Sequence, residues 1–175
     1  MEIERKWLVQ GWPNNMEPCK IITMRQGYIT TRPTVRIRSE ESNGKTEYIL
    51  CFKGKATPDG LAREEIESPI DGELFARLER FLGKPLIEKQ QRRYDLPGGL
   101  VLEVNQVDAG QPGEFFYAEI EFDTQEQAKA FVPGDLTEYL KQEVTGTPGQ
   151  NMAAYWRSTR GEFEADQPKE GGFSL

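Results

Sequence analysis

Histidine is absent from this 175-residue chain, and that single absence removes whole chemistries. A Ser-His-Asp or Cys-His nucleophile has no base here, and imidazole zinc sites have no ligand. Any resident metal is expected to be a hard ion on oxygen ligands. Cysteine is nearly as scarce: Cys19 and Cys51 build no disulfide framework and point to a reducing, cytoplasmic setting. No run reaches the roughly 18 apolar residues of a membrane-spanning helix. Acidic residues from position 2 onward replace the basic start of a secretory signal, so no membrane partner is expected. Surplus positive charge is missing too. With 22 Lys and Arg against 29 Asp and Glu, the net charge of -7 argues against a general nucleic-acid grip but leaves room for a local basic pocket.

What the chain does have is alternation. Segments 2–9, 20–30, 34–40, 46–54, 62–68, 86–96, 100–107 and 115–122 read as strands, eight in all. Turn chemistry separates them at Glu41-Ser42-Asn43-Gly44, Thr57-Pro58-Asp59-Gly60 and Pro97-Gly98-Gly99. Asp71 to Leu82 reads as an amphipathic helix with Leu74, Phe75, Leu78, Phe81 and Leu82 on one side and Gly83 as its stop. Thr124 caps a second helix, with Gln127 three residues on. A third short helix is expected over Leu136 to Gln142. With no repeat and no linker, residues 1–160 read as one domain, and 161–175, rich in Gly, Glu, Asp and Pro, as a flexible tail.

The two faces of the strands differ sharply. In the first, Glu2, Glu4 and Lys6 share a face. Later strands repeat the pattern: Arg36 and Arg38 oppose Val35 and Ile37, and Glu119 and Glu121 oppose Ala118 and Ile120. An antiparallel sheet with one wet face also alternates. Eight such strands, with apolar-faced helices after the fifth and eighth, suggest instead a closed eight-stranded antiparallel barrel, helices outside and a polar lumen.

That lumen would hold the carboxylates of Glu2, Glu4, Glu65, Glu67, Glu103, Glu119 and Glu121. It would also hold the cations of Lys6, Arg36, Arg38, Lys53, Lys89 and Arg93. Either set alone would repel itself in a partly dry channel. Together they form two half-sites. Arginine forks and lysine ammoniums bind phosphate oxygens, and carboxylates hold Mg²⁺ or Mn²⁺ bridging the same phosphates. The substrate class implied is a short, highly charged polyphosphate.

These residues carry a resemblance. Glu2-Ile3-Glu4-Arg5-Lys6 is similar to the ExExK signature of the CYTH superfamily, the triphosphate tunnel metalloenzymes. Arg25-Gln26-Gly27-Tyr28-Ile29, Val35-Arg36-Ile37-Arg38, the Lys53 strand, Arg63-Glu64-Glu65-Ile66-Glu67, Arg92-Arg93-Tyr94 and Ala118-Glu119-Ile120-Glu121-Phe122 follow in the family's order. Glu143-Val144-Thr145 and Asn151 resemble its C-terminal plug segment. The resemblance spans residues 1 to about 156.

It implies a tunnel that hydrolyses or cyclises triphosphates with a divalent metal. Glu2 and Glu4, with Glu119 and Glu121 across the tunnel, would be metal ligands, with Glu65, Glu67 and Glu103 as further or water-mediated ones. Lys6, Arg36, Arg38, Lys53 and Arg93 would clamp phosphates, Lys89 beside them, and Glu4 or Glu121 would take a proton from the attacking water. Tyr28 is either a proton-transfer group or a tunnel-mouth aromatic. The small-molecule substrate would most plainly be inorganic triphosphate, since no insertion offers a nucleobase pocket. Alternatives are a class IV-type adenylate cyclase, a thiamine triphosphatase, or a non-catalytic polyphosphate-binding module. A monomer and a homodimer both remain open.

Three departures from the family pattern matter. Gln91 stands where the family's Lys-Thr-Arg-Tyr strand carries lysine, with Lys89 two residues earlier on the same face. Thr147-Pro148-Gly149-Gln150 replaces a basic-Tyr pair in the plug, and Pro148-Gly149 is expected to break helix and loosen that tunnel end. Cys51 sits on the lumen face where threonine is usual, without a histidine to activate it. Trp7, Trp12 and Trp156 are expected to pack helices on the barrel.

Overall fold

Alternation at period two becomes a wound sheet in the computed structural model, which describes residues 1–161. The strands are β1 (Glu2–Val9), β2 (Lys20–Thr31), β3 (Thr34–Ser42), β4 (Lys45–Ala56), β5 (Ala62–Ile70), β6 (Ile87–Asp95), β7 (Val101–Val107), β8 (Phe115–Glu121) and the two-residue β9 (Gln142–Glu143). Their order is β5-β4-β3-β2-β6-β7-β8-β1, and β1 returns to pair with β5. The result is a closed eight-stranded antiparallel barrel with β9 added. The β3–β4 hairpin turns on Asn43 and Gly44, both at positive φ (53° and 75°), the backbone a two-residue turn demands.

Closure is narrow. One edge of β1 pairs with β8 from Glu4 to Val9. On its other edge only Glu2 and Ile3 meet Arg63 and Ala62 of β5, while Trp7 and Leu8 meet β9. Val144 N–H donating to Lys6 C=O and Lys6 N–H donating to Thr145 Oγ1 carry the chain on past β9. The segment after β9 thus takes over the wall where β5 leaves off.

The apolar faces point outward and need cover, since a buried Leu, Ile or Phe contributes about 1.5–3 kcal/mol. Helix α1 (Gly72–Leu82) covers one side, capped by Asp71 accepting from Leu74 N–H and ended by Gly83 in the left-handed region. Phe75 and Leu82 seal Ile37 and Ile87 there. Helix α2 (Gln125–Ala130), capped by Thr124, covers Trp7, Val104, Ala118 and Ile120 with Ala128 and Phe131.

Two local expectations fail. Leu136 to Gln142 forms no α-helix: a 3₁₀ turn covers Gly134–Leu136 and the chain then joins the sheet as β9. The amides of Leu136, Thr137 and Leu140 donate within local turns, to Pro133, Gly134 and Leu136 C=O, and only Gln142 and Glu143 reach the edge of β1. Beyond it lies an unexpected helix, α3 (Met152–Arg160), capped by Asn151, whose Oδ1 accepts from Ala154 N–H at 2.8 Å. Pro148-Gly149 precedes this helix rather than breaking one, and α3 lines the interior space with Met152, Ala153 and Arg157 while its Trp156 joins the apolar cluster of Ile37, Phe75, Leu82 and Ile87. Trp7 and Trp156 pack helices to the barrel as expected, whereas Trp12 lies between Phe116 and the Arg92 guanidinium of the strands. The expected tail falls almost wholly outside the described residues. Among those residues, no helix is long and apolar enough to cross a membrane.

Candidate active site

The inward-facing side chains enclose one cavity of about 880 Å³. Every charged residue singled out by alternation lines it: Glu2, Glu4, Lys6, Arg36, Arg38, Lys53, Glu65, Glu67, Lys89, Arg93, Glu103, Glu119 and Glu121, with Tyr28 among them. Strand order sorts them by sign. Going round the barrel, β7, β8, β1 and β5 are consecutive and carry all seven of those carboxylates. The complementary arc, β4, β3, β2 and β6, carries Lys53, Arg36, Arg38, Tyr28, Lys89 and Arg93. Lys6 of β1 is the one cation in that set standing in the acidic arc.

Glu119 and Glu121 do not face Glu2 and Glu4 across the tunnel, as expected, but sit beside them. β8 is the direct neighbour of β1, pairing Glu121 with Glu4 and Glu119 with Lys6. Crowding has the consequence that like charges dictate. Burial, then the Glu119 charge, pushes the Glu4 carboxyl well above its ordinary value. Burial raises Glu119 too, but the Lys6 ammonium and a hydrogen bond with Glu4 outweigh it and leave Glu119 low. Burial and neighbouring carboxylates also raise Glu2 and Glu121. Glu103, opposite Glu119 in the sheet, is pushed up to about 7 by burial and by the Glu119 charge. An oxygen-only donor set that cannot bear its own charge fits a divalent cation.

The basic arc is tied down by ion pairs. Lys53 Nζ lies 3.1 Å from Glu2 and 3.5 Å from Glu65. Arg38 reaches Glu40 at 2.7 Å and Glu67 at 3.5 Å, and Arg36 stands 3.9 Å from Glu67. Yet the Nε atoms of both arginines are buried without an acceptor. Arginines that line a polar cavity and keep a buried donor unpaired fit an anion with several oxygens. Cys51, Glu65 and Glu67 lie close enough to share an ion. Arg36, Arg38 and Lys53 pair with those carboxylates, and Lys53 pairs with Glu2 more closely still; among the described residues, Glu2, Glu4, Glu119 and Glu121 do not draw their oxygens together as tightly as that group.

One feature lay outside the sequence reading. Tyr117, fully buried, stands between two lysines: Lys89 donates to its hydroxyl at 2.9 Å and Lys6 Nζ lies 4.2 Å from its ring centre. Burial, and then the Arg38 charge, depresses Lys89 to about 7. One more step along the Glu119–Glu121 alternation would have placed Tyr117 inside. At the altered position, Gln91 donates to Asn105 at 3.1 Å and accepts from Arg93 Nε at 2.8 Å. The missing lysine is thus replaced by a neutral strut that orients Arg93. Tyr28 accepts from Gln26 Nε2 at 3.2 Å, which leaves its own proton free to point elsewhere.

Comparison with known proteins follows the same line. The inorganic triphosphatase of Nitrosomonas europaea is 35% identical over 144 residues, 82% of this chain and 89% of that protein. The solved inorganic triphosphatase NE1496 superposes with a TM-score of 0.58 at 29% identity, covering 89% of this chain and 93% of its own. HpAC1 from Hippeastrum, an adenylyl cyclase by name with a dominant triphosphatase activity, superposes at 0.67 with 18% identity over 94% and 98% of the two chains. At that identity the likeness is one of fold alone. No protein-family model matches the chain.

Proposed function

This chain belongs to the CYTH superfamily of triphosphate tunnel proteins, and we propose that within it the chain is a divalent-metal-dependent hydrolase of inorganic triphosphate. The observation that carries the reading is the division of one tunnel into an acidic arc and a basic arc. A linear polyphosphate and its counter-cation need that division, and a nucleic acid or a lipid headgroup does not.

In this reading Glu2, Glu4, Glu119 and Glu121 hold Mg²⁺ or Mn²⁺, with Glu65, Glu67 and Glu103 around them. A bound ion supplies Lewis acidity toward phosphoryl oxygens. The chain's own groups do the rest. Arg36, Arg38, Lys53, Lys89, Arg93 and Lys6 hold phosphate oxygens and stabilise the charge that spreads over them in the transition state. Glu121 or Glu4 accepts the proton of the attacking water. The Tyr28 hydroxyl, held by Gln26, gives its proton to the departing phosphate oxygen. The protein works in the cytoplasm as a monomer or homodimer, on a small molecule, without nucleic acid or membrane.

The test is phosphate release from inorganic triphosphate, ATP and thiamine triphosphate with Mg²⁺ or Mn²⁺, alongside detection of cyclic AMP. Turnover preferring inorganic triphosphate is the expected result. Cyclic AMP as the main product would make the chain a cyclase, and triphosphate binding without product would make it a binding module.

A further inference from the structure

The plug side of the tunnel is almost uncharged. Eleven residues between Val144 and Arg157 line the cavity, and Arg157 alone among them carries charge. Its position is set by how α3 docks. At the far end of the helix, Arg160 grips Asp108 with two bonds (2.7 and 3.1 Å) and reaches the Pro85 carbonyl at 3.1 Å. In the middle, the fully buried Trp156 packs on Tyr28. With Trp156 and Arg160 facing the wall, Ala153 and Arg157, four apart, share the neighbouring face and line the tunnel.

Arg157 is half-buried, and its guanidinium makes no hydrogen bond or ion pair with any other described residue. The neighbouring Arg160 shows how this helix treats an arginine that serves the fold, for its side chain is 7% exposed and fully engaged. A fork of N–H donors held partly dry beside a cavity that Arg36 and Arg38 also line calls for an anion.

We infer that Arg157 is a phosphate-contacting residue that reads the substrate from the plugged side. It supplies from α3 the cation that Thr147-Pro148-Gly149-Gln150 does not. The inference rests on the triphosphate reading of the tunnel and deepens it: recognition depends on a docked α3 as well as on the barrel strands.

Calorimetric titration of tripolyphosphate into chelator-treated protein tests this without turnover. Arg157→Gln is expected to weaken binding about tenfold, the scale of one lost charge-assisted hydrogen bond, and Arg157→Lys to recover part of the loss. In the hydrolysis assay with Mg²⁺ the same variant should raise KM about tenfold and leave kcat within about threefold, the pattern of a lost uniform-binding contact. Melting temperatures equal to wild type confirm that the fold is intact. Equal affinity in Arg157→Gln and wild type overturns the inference alone. Wild-type protein that neither binds tripolyphosphate in this titration nor releases phosphate from it with Mg²⁺ overturns the functional reading, and the inference with it; an unchanged KM in Arg157→Gln overturns the inference alone.

Discussion

Replacing Asp108 by asparagine should cost about 3 kcal/mol, although it touches neither arc of the tunnel. Asp108 is 1% exposed and sits at φ 49°, a conformation that asparagine also tolerates, so the substitution isolates the charge. Its carboxylate accepts from Glu88 N–H at 3.2 Å, from two Arg160 nitrogens and from the Tyr155 hydroxyl. Breaking a buried ion pair typically costs about 3–5 kcal/mol, because the surviving charge is stranded. Here Arg160 keeps the carbonyls of Pro85 and Leu86 as partial acceptors, which places the cost at the lower end. For a chain of this size about 3 kcal/mol is roughly 6–12 °C in Tm.

Urea unfolding and thermal melts of Asp108→Asn, Arg160→Met and the double variant measure the effect. Each single change strands one buried group, so the double should lose less than the sum by about 2 kcal/mol. The pH dependence has a definite sign. Burial raises the Asp108 carboxyl, but hydrogen bonds from Arg160 and Tyr155 outweigh it and hold it below its ordinary 3.8. A depressed carboxyl stabilises the folded state above that value and stops doing so as pH falls through the folded one. The gap between wild type and Asp108→Asn should therefore be constant near neutrality and shrink below pH 3.8. A loss under about 1 kcal/mol, additivity in the double, or a gap that persists at about pH 2 would refute the account.

The tunnel is legible in the sequence because period-two alternation puts a strand's charged residues on one face whatever its neighbours are, and the turns at Asn43-Gly44 and Gly83 carry their own chemistry. What alternation cannot state is which strand lies beside which. It therefore leaves Glu119 and Glu121 free to stand opposite Glu2 and Glu4, when the β1–β8 pairing makes them neighbours. The segment after Ala130 departs from expectation for a related reason. Leu136 to Gln142 has helical spacing and keeps local turn bonds as far as Leu140, but the edge of β1 takes Gln142 and Glu143 into a ladder and ends the turns there. Asn151 belongs to the plug resemblance and is also the cap of α3. As a capping residue before Met152, Ala153 and Trp156, it announces the helix that carries Arg157.

Glu4→Gln should abolish triphosphate hydrolysis, measured by phosphate release, yet leave the metal-free Tm unchanged or higher, because the charge removed is one that burial and Glu119 already disfavour. In chelator-treated protein, the raised Glu103 carboxyl binds its proton more tightly when folded, so stability should fall as pH climbs from 4.5 to about 7. Glu103→Gln should flatten that fall in a pH series of melts, and an identical slope would count against the crowded acidic arc. Restoring Mg²⁺ to about 100 times its dissociation constant should stabilise wild type by about 2.7 kcal/mol and Glu4→Gln by less. Finally, Gly60→Ala tests whether the wall between β5 and the plug is sealed by contact. Gly60 lies at φ 73°, and a Cβ there would fall 2.3 Å from the Gly146 Cα, backbone against backbone, where no side chain can yield. The β4–β5 loop and the segment after β9 would have to part, at a cost of about 1–3 kcal/mol. Because that segment leads into α3, amide exchange should quicken from Val144 through Ala153 while the β2–β3 and β3–β4 ladders keep their protection. Uniform quickening through the barrel would mean that the two glycines only fill space.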